Sequence, residues 1–373
     1  MNLAIVSPSQ KAYSETFIQQ HKNIPGVNVK YYYGGLIPGF LEGNGELVSL
    51  SLFDRVKRQL RLKFKYPEFT WAEDGFYKSL KKQRIDCVLA EYGLTGACVM
   101  KVCRKLNIPL VIHFHGYDAS KNEIIEQYKD SYAEMFEYAS AVIVVSKVME
   151  NKILSLGCPA EKVVYNTYGP DPIFYSVETI GSSKNLISVG RFVDKKAPYY
   201  TLLAFKKILD FHPDAKLILA GDGILLSACK NLVRYFSLDE NVEFPGIITQ
   251  REFINYLKTA RAYVQHSITA QSGDMEGTPV SILEASAAGL PVISTLHAGI
   301  PDVIIHGKTG LLCEEHNVDE MAANMKAILD DQSYAAKLGS EGKKNINNNF
   351  SLDKHLWILS KVVKNTVKNH KSN

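Results

Sequence analysis

Glu276 and Glu284 stand with seven residues between them in the stretch SGDMEGTPVSILEASAAGLPVISTLHAG, residues 272–299. Thr278 is a suitable N-cap, and Pro279 suits the first helical position, where its missing N–H costs nothing. Val280, Leu283, Ala287 and Ala288 give the next turns an apolar face. Gly289 ends the helix and Pro291 opens a buried strand. The free N–H groups and positive dipole end at the helix start suit a phosphate. The flanking carboxylates repel phosphate and accept hydrogen bonds from hydroxyls. A ligand with phosphate in the middle and hydroxylated rings on both sides, a nucleotide diphosphate sugar, suits all three features. Spacing alone does not demand it, because a solvated loop glutamate and a surface helix glutamate give the same pattern.

Other residues extend this chemistry. Gly190-Arg191 closes an apolar strand and Lys196 follows, so an Arg and a Lys converge where a departing diphosphate needs positive charge. Lys195 stands beside it. Gly221-Asp222-Gly223 follows the strand KLILA without completing G-x-G-x-x-G, which argues against a nicotinamide site. Gly223 is expected to let the backbone approach the ligand. His113 and His115 end a buried strand. His113 suits the core, whereas His115 precedes a glycine and is better placed for a ligand. Asp118 is placed to orient that loop. Glu91 and Tyr92 end another strand, where Glu91 either meets an acceptor or is solvated. No metal-ligand spacing and no D-x-D tract occur, so no metal is expected.

Taken together, these motifs resemble the retaining glycosyltransferases of family 4, in particular bacterial exopolysaccharide-type members. The resemblance rests on E-x₇-E, on Gly289-Leu-Pro-Val-Ile293, and on Gly299-Ile-Pro-Asp302. It also rests on Gly190-Arg191 with Lys196, where Ala197 replaces the usual glycine, and on His115-Gly-Tyr-Asp118. It implies the GT-B fold: two Rossmann-like, doubly wound parallel-sheet α/β domains facing across a cleft. It further implies transfer of a sugar from a nucleotide-diphosphate donor, most commonly a UDP-sugar, to a hydroxyl acceptor with retention. Arg191, Lys196 and the helix start at Thr278, Pro279 and Val280 would hold the diphosphate, with Gly190 at the strand end. Glu284 would bind ribose and Glu276 the donor sugar. His115 would assist at the reactive centre by hydrogen bonding to the sugar. The base would lie near Gly246 and Ile248, and the backbone near Ser14 would approach the diphosphate. The leaving phosphate would help take the acceptor proton. No cofactor is implied. A sugar-nucleotide epimerase and a nucleotide-sugar-binding protein without turnover are the rival readings.

The elements that position these residues follow from apolar patterning. Strand patterns at 2–8, 27–33, 85–93, 108–116 and 140–146 alternate with helical ones. A second set runs through 185–190, 215–223, 241–246, 262–267, 290–295 and 310–314. Near-continuous apolar strands between helices predict parallel sheets, with ligands beyond the strand C-termini. The expected organisation is a domain over 1–170, a Gly/Pro/Ser-rich linker at 171–184 and a nucleotide-binding domain over 185–354. In the family resembled, a final helix, here 355–373, crosses back to the first domain.

With 373 residues, 46% hydrophobic and 22% charged, the chain has an ordinary globular composition and room for two domains. Its six cysteines form no C-x-x-C pair and suit buried free thiols in a reducing compartment. No apolar run is long enough to span a bilayer. A cytoplasmic protein is expected. The net charge of +4 falls wholly in the first 170 residues. There the segment 53–66, FDRVKRQLRLKFKY, sets six basic residues against one acid, with Val56, Leu60 and Phe64 at helical spacing. It suits either an anionic lipid surface, such as the inner face of the cytoplasmic membrane, or a solvated helix packed on its own domain. The acceptor would then be a glycan or lipid-linked intermediate. The modest charge, with no recognition motif, argues against nucleic acid.

Overall fold

The apolar runs form strands. β1 (Asn2–Val6), β2 (Asn28–Tyr33), β3 (Phe40–Leu41), β4 (Gly45–Glu46), β5 (Cys87–Glu91), β6 (Leu110–His113), β7 (Ala141–Val144) and β8 (Val163–Tyr165) make one sheet. Its order is β4-β3-β2-β1-β5-β6-β7-β8. A second sheet contains β9 (Asn185–Val189), β10 (Lys216–Ala220), β11 (Val242–Gly246), β12 (Ala260–Val264), β13 (Val292–Thr295) and β14 (Gly310–Cys313), in the order β11-β10-β9-β12-β13-β14. All pairings are parallel except those of β2 with β3 and β3 with β4. The fold is thus two parallel α/β layers, with an antiparallel edge on the first. The computed structural model describes residues 1–11, 15–48, 70–180 and 183–372. Ser14 and the basic segment 53–66 lie outside the described residues.

Central strands are buried on both faces, which is why they are apolar throughout: Val88, Leu89, Ile112, Val142 and Ile143 are fully enclosed. The helix Leu352–Ser372 sets Leu356, Leu359 and Val363 into the same cluster as Leu3, Ile5, Leu89, Val111 and Ile143, so it packs on the first sheet. Ser360 fastens it by donating to the Pro25 carbonyl at 2.7 Å. Residues 166–180 are well anchored where they cross between the sheets: Tyr168 and Phe174 are buried. All six cysteines are free thiols, and all but the half-buried Cys98 are buried. Among the described residues, no helix is long and apolar enough to cross a membrane.

Candidate active site

The C-terminal ends of both sheets line one cleft. From the first half come Glu15, Phe17, Tyr92, His115, Tyr117 and Tyr168. From the second half come Gly190, Arg191, Lys195, Lys196, Ile248, Glu276, Thr278, Pro279, Val280 and Glu284. Most of the residues singled out from sequence therefore meet. Gly246, Asp118 and Glu91 are absent from the lining.

The loop after β9 brings the cations. It turns through a 3₁₀ segment, Asp194–Lys196, into the helix Pro198–Ile208. Ala197 makes the turn at φ 36°, ψ 53°, a left-handed conformation that a glycine takes without steric cost. Arg191 is exposed, and its side chain makes no hydrogen bond or ion pair among the described residues. The Lys196 ammonium lies 3.3 Å from Glu276 Oε2 and 3.4 Å from Gln265 Oε1. Burial pushes its pKa down against the pull of Glu276. Lys195 is instead held by Asp274 and the Met275 carbonyl. Gly221 belongs to the same cradle. A Cβ there would sit 1.9 Å from the Gly190 carbonyl oxygen, so only glycine lets these two strand ends touch. Gly223 is similarly pressed against the Phe192 backbone. Its close approach is to a neighbouring loop, and it is absent from the cleft lining.

The helix after Glu276 runs Val280–Ala287, with Pro279 as its cap. Thr278 does not cap it. Its hydroxyl donates to the Val145 carbonyl across the cleft at 2.8 Å, an acceptor outside the helix. The first N–H groups of the helix, at Val280 and Ser281, have no acceptor within the helix, and both residues line the cleft. The two glutamates flank them in opposite states. One Glu276 oxygen faces Lys196; the other is buried without a partner. Burial alone would raise this carboxyl, but Lys196, Lys195 and His297 outweigh it and hold the pKa below the ordinary value. Glu284 makes no side-chain hydrogen bond among the described residues, and burial, with Asp171 nearby, pushes it up to about 8. Beyond it, Ile247, Ile248, Thr249, Gln250 and Phe253 form a wall. Ile248 lies in this wall, whereas Gly246 sits behind it at the end of β11 and accepts a hydrogen bond from the Gly221 N–H.

His115 faces these groups from the end of β6. Asp118 fixes its loop, accepting from the N–H groups of His115, Gly116 and Gly93 at 2.9–3.0 Å. Both ring nitrogens of His115 are occupied: Nε2 lies 2.8 Å from Glu91 Oε2 and Nδ1 2.6 Å from the Tyr168 hydroxyl. A sugar hydroxyl would reach a ring nitrogen of His115 only by displacing Tyr168 from Nδ1, although the ring itself lines the cleft. Both expectations for Glu91 are corrected. It is completely buried and neither solvated nor open to an acceptor, because His21, His115 and the last helix cover it. Its carboxyl is held well below the ordinary range: burial would raise it, but His21, His113 and His115 prevail. His113 is a core residue, as its position implied; burial pushes its pKa down to about 3. Atoms of His21, Glu91 and His113 come within 4.8 Å of one another. Two of them already share a 2.6 Å hydrogen bond, which marks a hydrogen-bonded cluster more than a vacant ligand set.

Some site residues carried no sequence signal. His297 accepts the Glu276 N–H at Nε2 and donates from Nδ1 to Glu315 at 2.6 Å, so it sets the backbone of the glutamate loop. Tyr168 and Phe17 wall the cleft beside His115, with ring centroids 4.4 Å apart. Lone aromatic and histidine positions look like core in sequence.

Two parallel α/β sheets whose strand ends line one cleft define the GT-B class. The UDP complex of HepE from Anabaena matches with a TM-score of 0.79, at 16% identity over 98% of this chain and all of that one. Residues 36–169 match the model described as glycosyltransferase family 4, and residues 174–345 that of glycosyl transferases group 1. The chain belongs to glycosyltransferase family 4. AmsK of Erwinia amylovora, an amylovoran biosynthesis glycosyltransferase, is 31% identical over 244 residues, 64% of this chain and 60% of its own length. WcaL of Salmonella typhimurium, assigned to colanic acid biosynthesis, is 30% identical over 246 residues. This match too takes in 64% of this chain and 60% of the relative.

Proposed function

We propose that this protein transfers a sugar from a nucleotide-diphosphate donor, a UDP-sugar, to a hydroxyl on a glycan or lipid-linked intermediate of an exopolysaccharide, with retention. One observation carries the reading. Two carboxylates with unfilled acceptor capacity, Glu276 and Glu284, flank a helix start faced by Arg191 and Lys196. Only a ligand that is anionic in the middle and hydroxylated at both ends uses all of it. In this reading Glu284 takes the ribose diol and Glu276 the donor sugar. Arg191, Lys196 and the N–H groups of Val280 and Ser281 stabilise charge on the departing diphosphate. That cationic set supplies the charge a divalent metal would otherwise bring, so activity should survive chelation. The leaving phosphate accepts the acceptor's proton, because in this reading both cleft glutamates, Glu276 and Glu284, are taken up by hydroxyls of the donor. UDP as carrier is supported by the HepE complex, and the acceptor class by AmsK and WcaL.

A thermal-shift screen of nucleoside diphosphates, followed by donor hydrolysis assays with and without EDTA, tests this. UDP should stabilise the protein most, and Glu284→Ala should abolish that shift. Glu276→Ala should keep the nucleotide shift and lose sugar turnover. Stabilisation by no nucleoside diphosphate would overturn the reading.

A further inference from the structure

The cleft accounts for His115, but not for the buried polar cluster behind it. Glu91, His21 and His355 are enclosed and touch no open part of the cleft. They come from β5, the short 3₁₀ segment His21–Asn23 and the C-terminal helix. Burying four imidazoles and a carboxylate together is costly unless each polar atom has a partner.

The hydrogen bonds determine where the protons sit. His355 Nδ1 lies 3.0 Å from the Thr167 carbonyl, which only accepts, so that nitrogen carries hydrogen. His21 Nδ1 lies 2.6 Å from Glu91 Oε1, and His115 Nε2 lies 2.8 Å from Oε2, so each donates to the carboxylate. Between His21 Nε2 and His355 Nε2, 3.0 Å apart, one hydrogen must lie. Two rings thus hold three hydrogens, one more than two neutral imidazoles carry. That shared proton offsets the buried charge of Glu91. On the cleft side the Tyr168 hydroxyl donates to His115 Nδ1, leaving His115 neutral with hydrogen on Nε2. His113, the fourth ring, touches Glu91 only at 3.6 Å, too long for a hydrogen bond.

We propose that Glu91 is a positioning residue for His115, and that His355 on the C-terminal helix keeps Glu91 charged by sharing a proton with His21. The inference deepens the transferase reading and rests on it for its kinetic arm. The last helix thereby holds the imidazole at the reaction centre without touching the ligand.

The test compares His355→Gln, His355→Leu and Glu91→Gln with the unaltered protein. A glutamine at 355 can accept from His21 Nε2 and donate to the Thr167 carbonyl, so it preserves the relay. A leucine fills the space but ends it. UDP affinity should stay within about twofold in all three, because its cradle lies in the other half. For turnover, His355→Leu and Glu91→Gln should lower kcat by about tenfold or more, with little change in KM, while His355→Gln stays near the unaltered value. Independently of activity, ¹⁵N-histidine spectra should show His115, identified by loss of its signal in His115→Asn, with hydrogen on Nε2. The His115 Nε2–H should resonate strongly downfield in the unaltered protein and in His355→Gln, and less so in the other two. A His115 signal indifferent to Glu91→Gln, or equal turnover in His355→Leu and His355→Gln, would overturn the proposal. An unaltered protein inert toward every nucleotide sugar would sink the transferase reading, while the imidazole spectra still decide the relay.

Discussion

Glu276 and Glu284 carry one functional group in two electrostatic settings. Two lysines and His297 hold the Glu276 carboxyl low, whereas burial beside Asp171 pushes Glu284 up to about 8. Glu284 therefore keeps its proton to higher pH in the folded chain than in the unfolded one. The free protein is destabilised as pH rises from the ordinary carboxylate range through about 8. A ribose diol donating to this carboxyl favours its ionised form, so the complex binds fewer protons than the free protein. Affinity for UDP must then rise with pH up to about 8 and level off beyond it. Between pH 7 and 8.5 the gain should be roughly eightfold, the ratio of the ionised fractions. Calorimetric titrations across that range check this, and the slope should vanish in Glu284→Gln. A slope that persists in the variant would move the proton release to another group.

At the scale of elements, the C-terminal helix is the piece that the first sheet lacks. Leu359 is fully buried among Leu3, Ile5 and Val111. Leu359→Ala should cost about 2–5 kcal/mol, the usual range for a cavity at an enclosed leucine. Denaturant unfolding should show that loss while UDP affinity is unchanged. The apolar strands were legible because both faces are buried, which leaves uninterrupted runs such as Leu217–Ala220. β3 and β4 are two residues each, too short for any period, and β8 is only half-buried. Within the site, legibility followed the same logic. The charged loop after β9 and the glutamate helix carry local patterns. Thr278 reads as a cap in sequence because its partner, Val145, is distant, and Glu91 reads as a strand end open to solvent because its covering histidines are distant too.

Across the whole molecule the two halves meet where the reaction would occur. Thr278 donates to Val145, Ser120 accepts from the Met275 N–H, and Asp302 accepts from the Lys147 N–H at 2.8 Å. Asp302 there sits at the first turn of the helix Lys147–Ser155, where a carboxylate meets the positive dipole end. These contacts set His115 beside the Glu276 loop, and Gly277 is a point of close approach. A Cβ on Gly277 would lie 2.4 Å from the His115 carbonyl oxygen and 2.7 Å from Val145 Cγ2. Gly277 has no positive φ, so Gly277→Ala disturbs the approach of the halves and leaves the local backbone conformation allowed. The substitution must push the His115 loop and the glutamate loop apart by about an ångström to restore van der Waals distance. A displacement of that size at a reacting centre costs on the order of a hundredfold in rate. Nucleotide contacts lie within the second half and should be spared. Steady-state kinetics on Gly277→Ala should therefore show kcat reduced by tenfold or more, with UDP affinity within about twofold. Full turnover in this variant would mean that the centre tolerates a wider separation than this close contact implies.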